Sequence, residues 1–316
     1  MPNYRAALSH PGTGVVVAYI VLFGFLSFAS DNFFTIDNMA VVLRQAVWVA
    51  VMAIGMTFVI GMGGIDLSVG AILGISGVAV AALIQGGVNI YFAVVLALVL
   101  GVVIGIGNGV LIAYFRLPPF IATLGTMSLL RGIIMVYTQG IPIYGLRYPE
   151  FQFIGQGFIG IVPFPVVVLA ILIAVFGFVL YRTRLGRYTL SIGSNPTAAR
   201  LAGININRTK VIVYGLSGLL CAIAGIFMTS RSEAAVPDAG VGLELDVIAA
   251  TIIGGTAMTG GRAVLFGTIV GAVLMTTIRN GLNLLGVSPL WHQVVIGGFI
   301  VVAVAASSMS KSKTDD

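Results

Sequence analysis

Residues Arg182–Lys210 read RTRLGRYTLSIGSNPTAARLAGININRTK. The stretch carries Arg182, Arg184, Arg187, Arg200, Arg208 and Lys210 and no acidic residue, and long apolar runs, Pro165–Tyr181 and Val211–Thr229, flank it. A short loop this rich in Lys and Arg stays on the cytoplasmic side of a membrane. Inside it, Asn195 suits an N-cap, Pro196 the first helical position, and Gly203 the closing position beyond Ala198–Ala202. The prediction is a capped helix of roughly two turns between two spans. Such a segment is either a topology signal alone or a surface built to be touched by a soluble partner.

Working outward, the whole chain fits a membrane. Its 316 residues are 59% hydrophobic and only 8% charged, with a mean hydropathy of +1.10, too little polar surface for a soluble fold. The net charge of +6 is read as orientation rather than as affinity for nucleic acid. Eleven of the 16 basic residues (Arg5, Arg116, the six above, Arg262, Lys311 and Lys313) fall on the face made cytoplasmic by the topology below. The single Cys221 excludes an internal disulfide and reads as packing.

Ten spans are expected: Gly14–Ala29, Gln45–Gly61, Leu67–Ile84, Tyr91–Tyr114, Phe120–Tyr137, Pro165–Tyr181, Val211–Thr229, Leu245–Met258, Val264–Thr277 and Val294–Ser307. Several fall short of the roughly 20 residues of a straight span, so tilted, broken or half-length helices are expected. The fold class is therefore an all-α polytopic bundle forming one membrane domain over 1–316, with both termini cytoplasmic and the loop 182–210 on the same side. Thr138–Phe164 and Ser230–Glu244 lie outside. The first span could be a cleavable signal, given Ser27-Phe28-Ala29, but its weak basic flank favours an anchor.

Glycine is unusually frequent, at 42 residues. Gly101, Gly105 and Gly109 give one span a small face for close helix contact. The pattern Gly63-Gly64-x5-Gly70-x3-Gly74 recurs as Gly260-Gly261-x5-Gly267-x3-Gly271, either an echo of the repeats found in transporters or a chance match among so many glycines. An ionisable group at membrane depth needs a partner or a water-filled cavity. Arg131 is either a cavity-lining or helix-tying cation, or a side chain snorkelling to the interface. Asp66, in GGIDLSVG, either caps the following helix or lines a pathway. Glu244 and Asp246 open one span on the external side, and Arg279 and Asn280 close the next there. All six are candidates for the pathway or its mouth. Catalytic and nucleotide patterns are missing: two histidines, no HExxH, no CxxC, no Gly-Lys pair.

The stretches Gly55–Ala71, Leu117–Ile133, Arg182–Asn205, Gly242–Thr256 and Arg279–Pro289 resemble, in order and spacing, the permease family of ribose-type bacterial ABC importers, which includes pentose, galactofuranose and autoinducer-2 systems. The resemblance runs from about Asn32 to Ala305. It implies an inner-membrane permease that pairs with a second permease subunit, identical or not. It implies a cytosolic ATPase with two fused nucleotide-binding halves, which holds ATP and Mg, and a periplasmic sugar-binding protein that delivers the substrate. This chain itself would carry no cofactor and no metal. Asn195–Gly203 matches the family's coupling segment, so Asn195, Ala198, Arg200, Leu201, Ala202 and Gly203 are expected to face the ATPase. Two residues depart from the pattern, Pro196 where relatives often carry Glu and Ala263 where they often carry Gly. The function expected is inward transport of a monosaccharide or related polyol. An ion-coupled secondary transporter is the alternative, followed by a membrane-embedded enzyme. The sequence does not name the sugar.

Overall fold

The computed structural model describes residues 13–288 and 290–299. Arg5, His10, Lys311, Lys313 and the last part of the expected span Val294–Ser307 lie outside them. Among the described residues the chain is helical apart from one two-stranded ribbon, β1 (Phe158–Ile159) paired antiparallel with β2 (Val162–Pro163). The helices are α1 (Thr13–Ala29), α2 (Ile36–Gly61), α3 (Val69–Gln85), α4 (Ile90–Ala113), α5 (Pro119–Thr138), α6 (Pro149–Gln156), α7 (Phe164–Arg182), α8 (Arg184–Ser194), α9 (Pro196–Leu201), α10 (Ile206–Ser232), α11 (Leu243–Ile253), α12 (Leu265–Leu284) and α13 (290–299).

Six helices, α2, α4, α5, α7, α10 and α12, are long and apolar enough to cross a bilayer, and α1 and α3 are shorter apolar helices. Burial divides the long ones. In α2, α10 and α12 the apolar stretch is 61%, 67% and 67% buried, against 22% in each of α4, α5 and α7. Since these last three are as apolar as the first, their exposed sides suit lipid or another subunit rather than water.

The bundle is organised around α10, which packs most extensively on α4 and then on α2 and α3. The α4 contact is a seam of small residues. A Cβ at Gly101 would come within 2.6 Å of the Ala222 methyl, one at Gly109 within 2.6 Å of the Val211 Cα, and one at Gly105 would be driven into the Tyr214 carbonyl. The glycine face read from the sequence thus does what it is expected to do. Cys221 is buried in the same region.

Several boundaries differ from expectation. Helix α2 begins at Ile36, well before the Gln45 expected for this span, because the Thr35 side chain accepts from the Asn38 N–H and starts the helix early. The span read as Leu245–Met258 is the 11-residue α11. It is only about 16 Å long at 1.5 Å per residue, half of the ~30 Å hydrocarbon core. Its helix stops at Gly254, which lies against Gly267 and Thr268, and Gly255 then takes a positive φ of 98°. Helix α12 runs on to Leu284, so Arg279 and Asn280 sit within it rather than at its close. The basic loop is mostly not a loop. It contains α8, unforeseen, then α9 and the start of α10, which takes in Arg208 and Lys210.

The two ends of the bundle are distinct. At one end the segments 138–164 and 230–244 meet through reciprocal backbone bonds between Ile143 and Ala235, both 2.9 Å, and through the Arg147–Glu233 ion pair at 3.1 Å. At the other, the two glycine turns of the echo touch: the Gly261 N–H donates to the Gly61 carbonyl at 2.9 Å, and Gly193 of α8 packs between them. Ala263 is buried there, its methyl facing Gly61.

Candidate functional site

Helices α8 and α9 form a small folded surface at the second end. The Asn195 side chain accepts from the Ala198 N–H at 3.0 Å, Pro196 begins α9, and Gly203 closes it with a φ of +78°. The Gly203 and Ile204 N–H groups then bond to the Arg200 and Ala199 carbonyls, both at 3.0 Å. These bonds satisfy the last carbonyls of a helix too short to stand alone in water. Ala199 is buried against the body, while Ala198, Arg200 and Ala202 are exposed and Leu201 is 86% exposed. Helix α8 supports this knob: Thr189, Ile192 and Gly186 are buried, and its arginines are not. A cavity of about 330 Å³ separates the two helices and is lined by Ser191, Asn195, Ala198, Ala202 and Ile204. An exposed leucine beside a shallow apolar groove is a surface that gains by being covered. On its other side Arg200 shares a cavity with Arg116 and Lys210.

The remaining sequence candidates form three separate groups in the bundle. Asp66, in the break between α2 and α3, is fully buried. Its Oδ1 accepts from the Ser68 N–H and hydroxyl at 2.9 and 2.5 Å, and its Oδ2 from the Ser217 hydroxyl at 3.1 Å. It therefore shapes the turn before α3 rather than capping the helix, whose N-cap is Ser68. Beyond Ser68 the chain of bonds continues: Asn108 Nδ2 donates to Ser68 Oγ at 2.8 Å and Thr126 Oγ1 to Asn108 Oδ1 at 2.6 Å. One polar string thus ties α10, α3, α4 and α5. Buried polar groups are tolerated when bonded in this way.

Arg131, on α5, donates to the Ala239 carbonyl at 2.6 Å and lies within electrostatic range of Glu244. Glu244 Oε1 accepts from the Gly242 N–H at 3.2 Å, while its Oε2 has no partner among the described residues and faces Gly70, where a Cβ would come within 2.6 Å. The geometry is that of a helix tie, because the guanidinium reaches a carbonyl in the segment preceding α11.

Asp246 and Arg279 pair at 2.6 Å between α11 and α12. Asn280 exchanges amide hydrogen bonds with Asn38, at 2.8 and 3.1 Å, joining α12 to α2. The structure therefore joins Asp246 to Arg279 and brings Glu244 near Arg131, and it leaves Asp66 apart from both. Sequence reasoning passed over Ser68, Asn108, Thr126 and Ser217. The one available signal was an asparagine inside an otherwise apolar span, at Asn108. Among the described residues no group of His, Cys, Asp or Glu could hold a metal ion.

Comparison with known proteins fits this architecture. Residues 38–304 match the family described as branched-chain amino acid transport system / permease component. The chain is 44% identical to the ribose import permease protein RbsC of Escherichia coli K12 over 292 residues, 92% of this chain and 91% of that one. It is 43% identical to RbsC of Bacillus subtilis over the same shares. It is 38% identical to the D-allose transport system permease protein AlsC of E. coli, covering 96% and 93% of the two chains. No solved structure matches it. A family match over most of the chain, with relatives aligned along nearly their full length, shows that it belongs to this permease-component family, in the ribose-type branch of ABC importers.

Proposed function

We propose that this chain is the membrane-spanning subunit of an ATP-binding-cassette importer that moves a monosaccharide or related polyol inward, with ribose the first sugar to test. The observation that carries the reading is the 44% identity to ribose import permeases across 92% of the chain. ATP and Mg are held by a separate cytosolic ATPase with two fused nucleotide-binding halves, and a periplasmic binding protein supplies the sugar. Two permease subunits, alike or different, enclose the pathway. The exposed sides of α4, α5 and α7 leave room for a second subunit as well as for lipid.

The chain lies in the bacterial inner membrane with ten segments, α1 to α5, α7 and α10 to α13, and with both termini in the cytoplasm. Half-length α11 is among the ten. The segregation of basic residues supports this orientation, which puts the α8–α9 surface on the ATPase side and the Arg147–Glu233 pair outside. Asp66 and Arg131 hold the helices that form the pathway, and Glu244, Asp246, Arg279 and Asn280 lie toward its external mouth. Asp66, Arg131, Asp246 and Arg279 are each tied to a protein partner, which speaks against ion coupling.

The test is uptake of radiolabelled ribose into proteoliposomes holding the permease, its ATPase and its binding protein. Uptake should require ATP and the binding protein and survive a protonophore. Uptake driven by a proton or sodium gradient without ATP would overturn the reading in favour of a secondary transporter.

A further inference from the structure

At the end of the bundle that carries the 138–164 and 230–244 segments lies a cavity of about 580 Å³, lined by Arg44, Trp48, Gln156, Phe158, Met228 and Arg231 among others. It is separate from the candidate pathway residues and from the α8–α9 surface. Two arginines meet in it, one from α2 and one from the last turn of α10, and among the described residues no acidic side chain lines it. Arg44 stacks over the Phe158 ring, its guanidinium carbon 4.9 Å from the centroid. Stacking leaves the edge of the guanidinium, where its donors are, free for another partner. Among the described residues the arginine side chains that donate hydrogen bonds are Arg131, Arg147, Arg187 and Arg279, and the ion pairs belong to Arg147 and Arg279. Arg44 and Arg231, both half-buried, make neither.

Two half-buried like charges within electrostatic range of each other repel. A fold that brings them together, with several unused donors each, is complementary to an anion that accepts from both. Guanidinium pairs match the tetrahedral oxygens of a phosphate in particular. The surroundings say which kind of phosphate. The ribbon beside the cavity presents Phe158, Ile159 and Ile161 outward, Ile161 being 94% exposed, and Leu43, next to Arg44, is exposed as well. Apolar side chains around a cationic hollow, with Trp48 at its wall, are the composition of a membrane boundary, where acyl chains and headgroups meet.

We infer that Arg44 and Arg231 clamp the phosphodiester of an anionic phospholipid, in a hollow whose described lining has no carboxylate to neutralise the ammonium of a zwitterionic one, and that its acyl chains lie along the exposed apolar ribbon. The site fixes the ends of α2 and α10, the two helices at the centre of the bundle, and so makes the permease's stability depend on lipid charge.

The experiment uses the full-length protein purified in a mild detergent. Thermal unfolding is followed while phosphatidylglycerol, phosphatidylcholine or inorganic phosphate is added, and retained phospholipid is counted by native mass spectrometry. Phosphatidylglycerol should raise the melting temperature and remain bound, and the other two should do neither. Arg44→Gln with Arg231→Gln should weaken phosphatidylglycerol binding about 30-fold, the effect of losing two near-surface cations. Arg44→Lys with Arg231→Lys, which keeps the charge, should retain most of it and controls for folding. The inference is overturned if the glutamine variant retains phosphatidylglycerol as the wild type does, or if the wild type responds equally to phosphatidylcholine. A response to inorganic phosphate alone would make this a free-anion site. Protection only by an added soluble partner protein would make it a protein contact. Either result contradicts a lipid clamp.

Discussion

Arg279 on α12 holds Asp246 on α11 at 2.6 Å, with the carboxylate 1% exposed and the guanidinium 29%. The pair fastens a half-length helix that has little length of its own to pack. Removing one partner leaves the other charged and desolvated, which costs about 3 kcal/mol. Arg279→Ala is therefore expected to lower thermal stability in detergent by that order. The double variant Asp246→Asn with Arg279→Gln should recover a substantial part, because neither charge is then stranded. Equal loss in the single and double variants would show that the pair has some role other than mutual neutralisation.

The polar string through Asn108 makes a second prediction. Asn108→Ala removes the donor to the Ser68 hydroxyl, which keeps its bond to Asp66, and leaves the half-buried Thr126 hydroxyl without its acceptor, at a cost of about 1–3 kcal/mol. Unfolding of the purified variant should be shifted accordingly. Phe115→Ala, a change at an exposed aromatic, should have a far smaller effect.

The α4–α10 seam distinguishes two neighbouring glycines. Gly105 faces the Tyr214 backbone, whereas nothing lies within 4 Å of a Cβ at Gly107. Gly105→Val must part the helices and should cost more than about 4 kcal/mol, a loss few membrane proteins survive. Gly107→Ala should behave as wild type. The readout is the monodisperse fraction on size exclusion.

Glu233 gives a pH dependence outside the spans. Side-chain bonds from Gln156 and Gln152, with Arg147 alongside, hold its carboxyl below the ordinary 4.5. A lowered folded value means that the carboxylate's contribution is fully present above the unfolded value and fades as pH falls through the folded one. Amide hydrogen exchange at Ile143 and Ala235, whose backbone bonds join the two segments, should therefore quicken relative to the core as the medium becomes more acidic than about pH 4.5. Glu233→Gln should abolish that dependence.

How far these features were legible depended on their range along the chain. The capped α9 was readable because Asn195, Pro196 and Gly203 act within a few residues of one another. The glycine seam was readable because one helix carries its whole face. Helix α8 was not, since a short segment with arginines and only a few apolar positions resembles a polar loop until Gly193 and Ile192 find the body. Half-length helices were expected among the short spans, but where α11 stops was hidden because the apolar run continues through the Gly254 turn, and hydropathy does not register a break made by backbone packing. The Asn38–Asn280 exchange joins residues 242 apart, and no local pattern signals it. Arg44 and Arg231 gave no sign singly, since their meaning comes from their meeting.

The most direct test of the account is whether ATP hydrolysis reaches the membrane through α9. The exposed Ala198, Leu201 and Ala202, with the groove beside them, should be covered by the ATPase. Ala198→Glu would place an unpaired carboxylate in that contact, and Gly203→Val would strain the left-handed closing residue. Reconstituted vesicles containing either variant, the ATPase and the sugar-loaded binding protein are assayed for substrate-stimulated ATP hydrolysis. Stimulation should fall about tenfold or more while the binding protein still docks, the loss of roughly 1.4 kcal/mol or more of interface free energy. Stimulation by Ala198→Glu equal to that of the wild type would contradict it and place the coupling contact elsewhere.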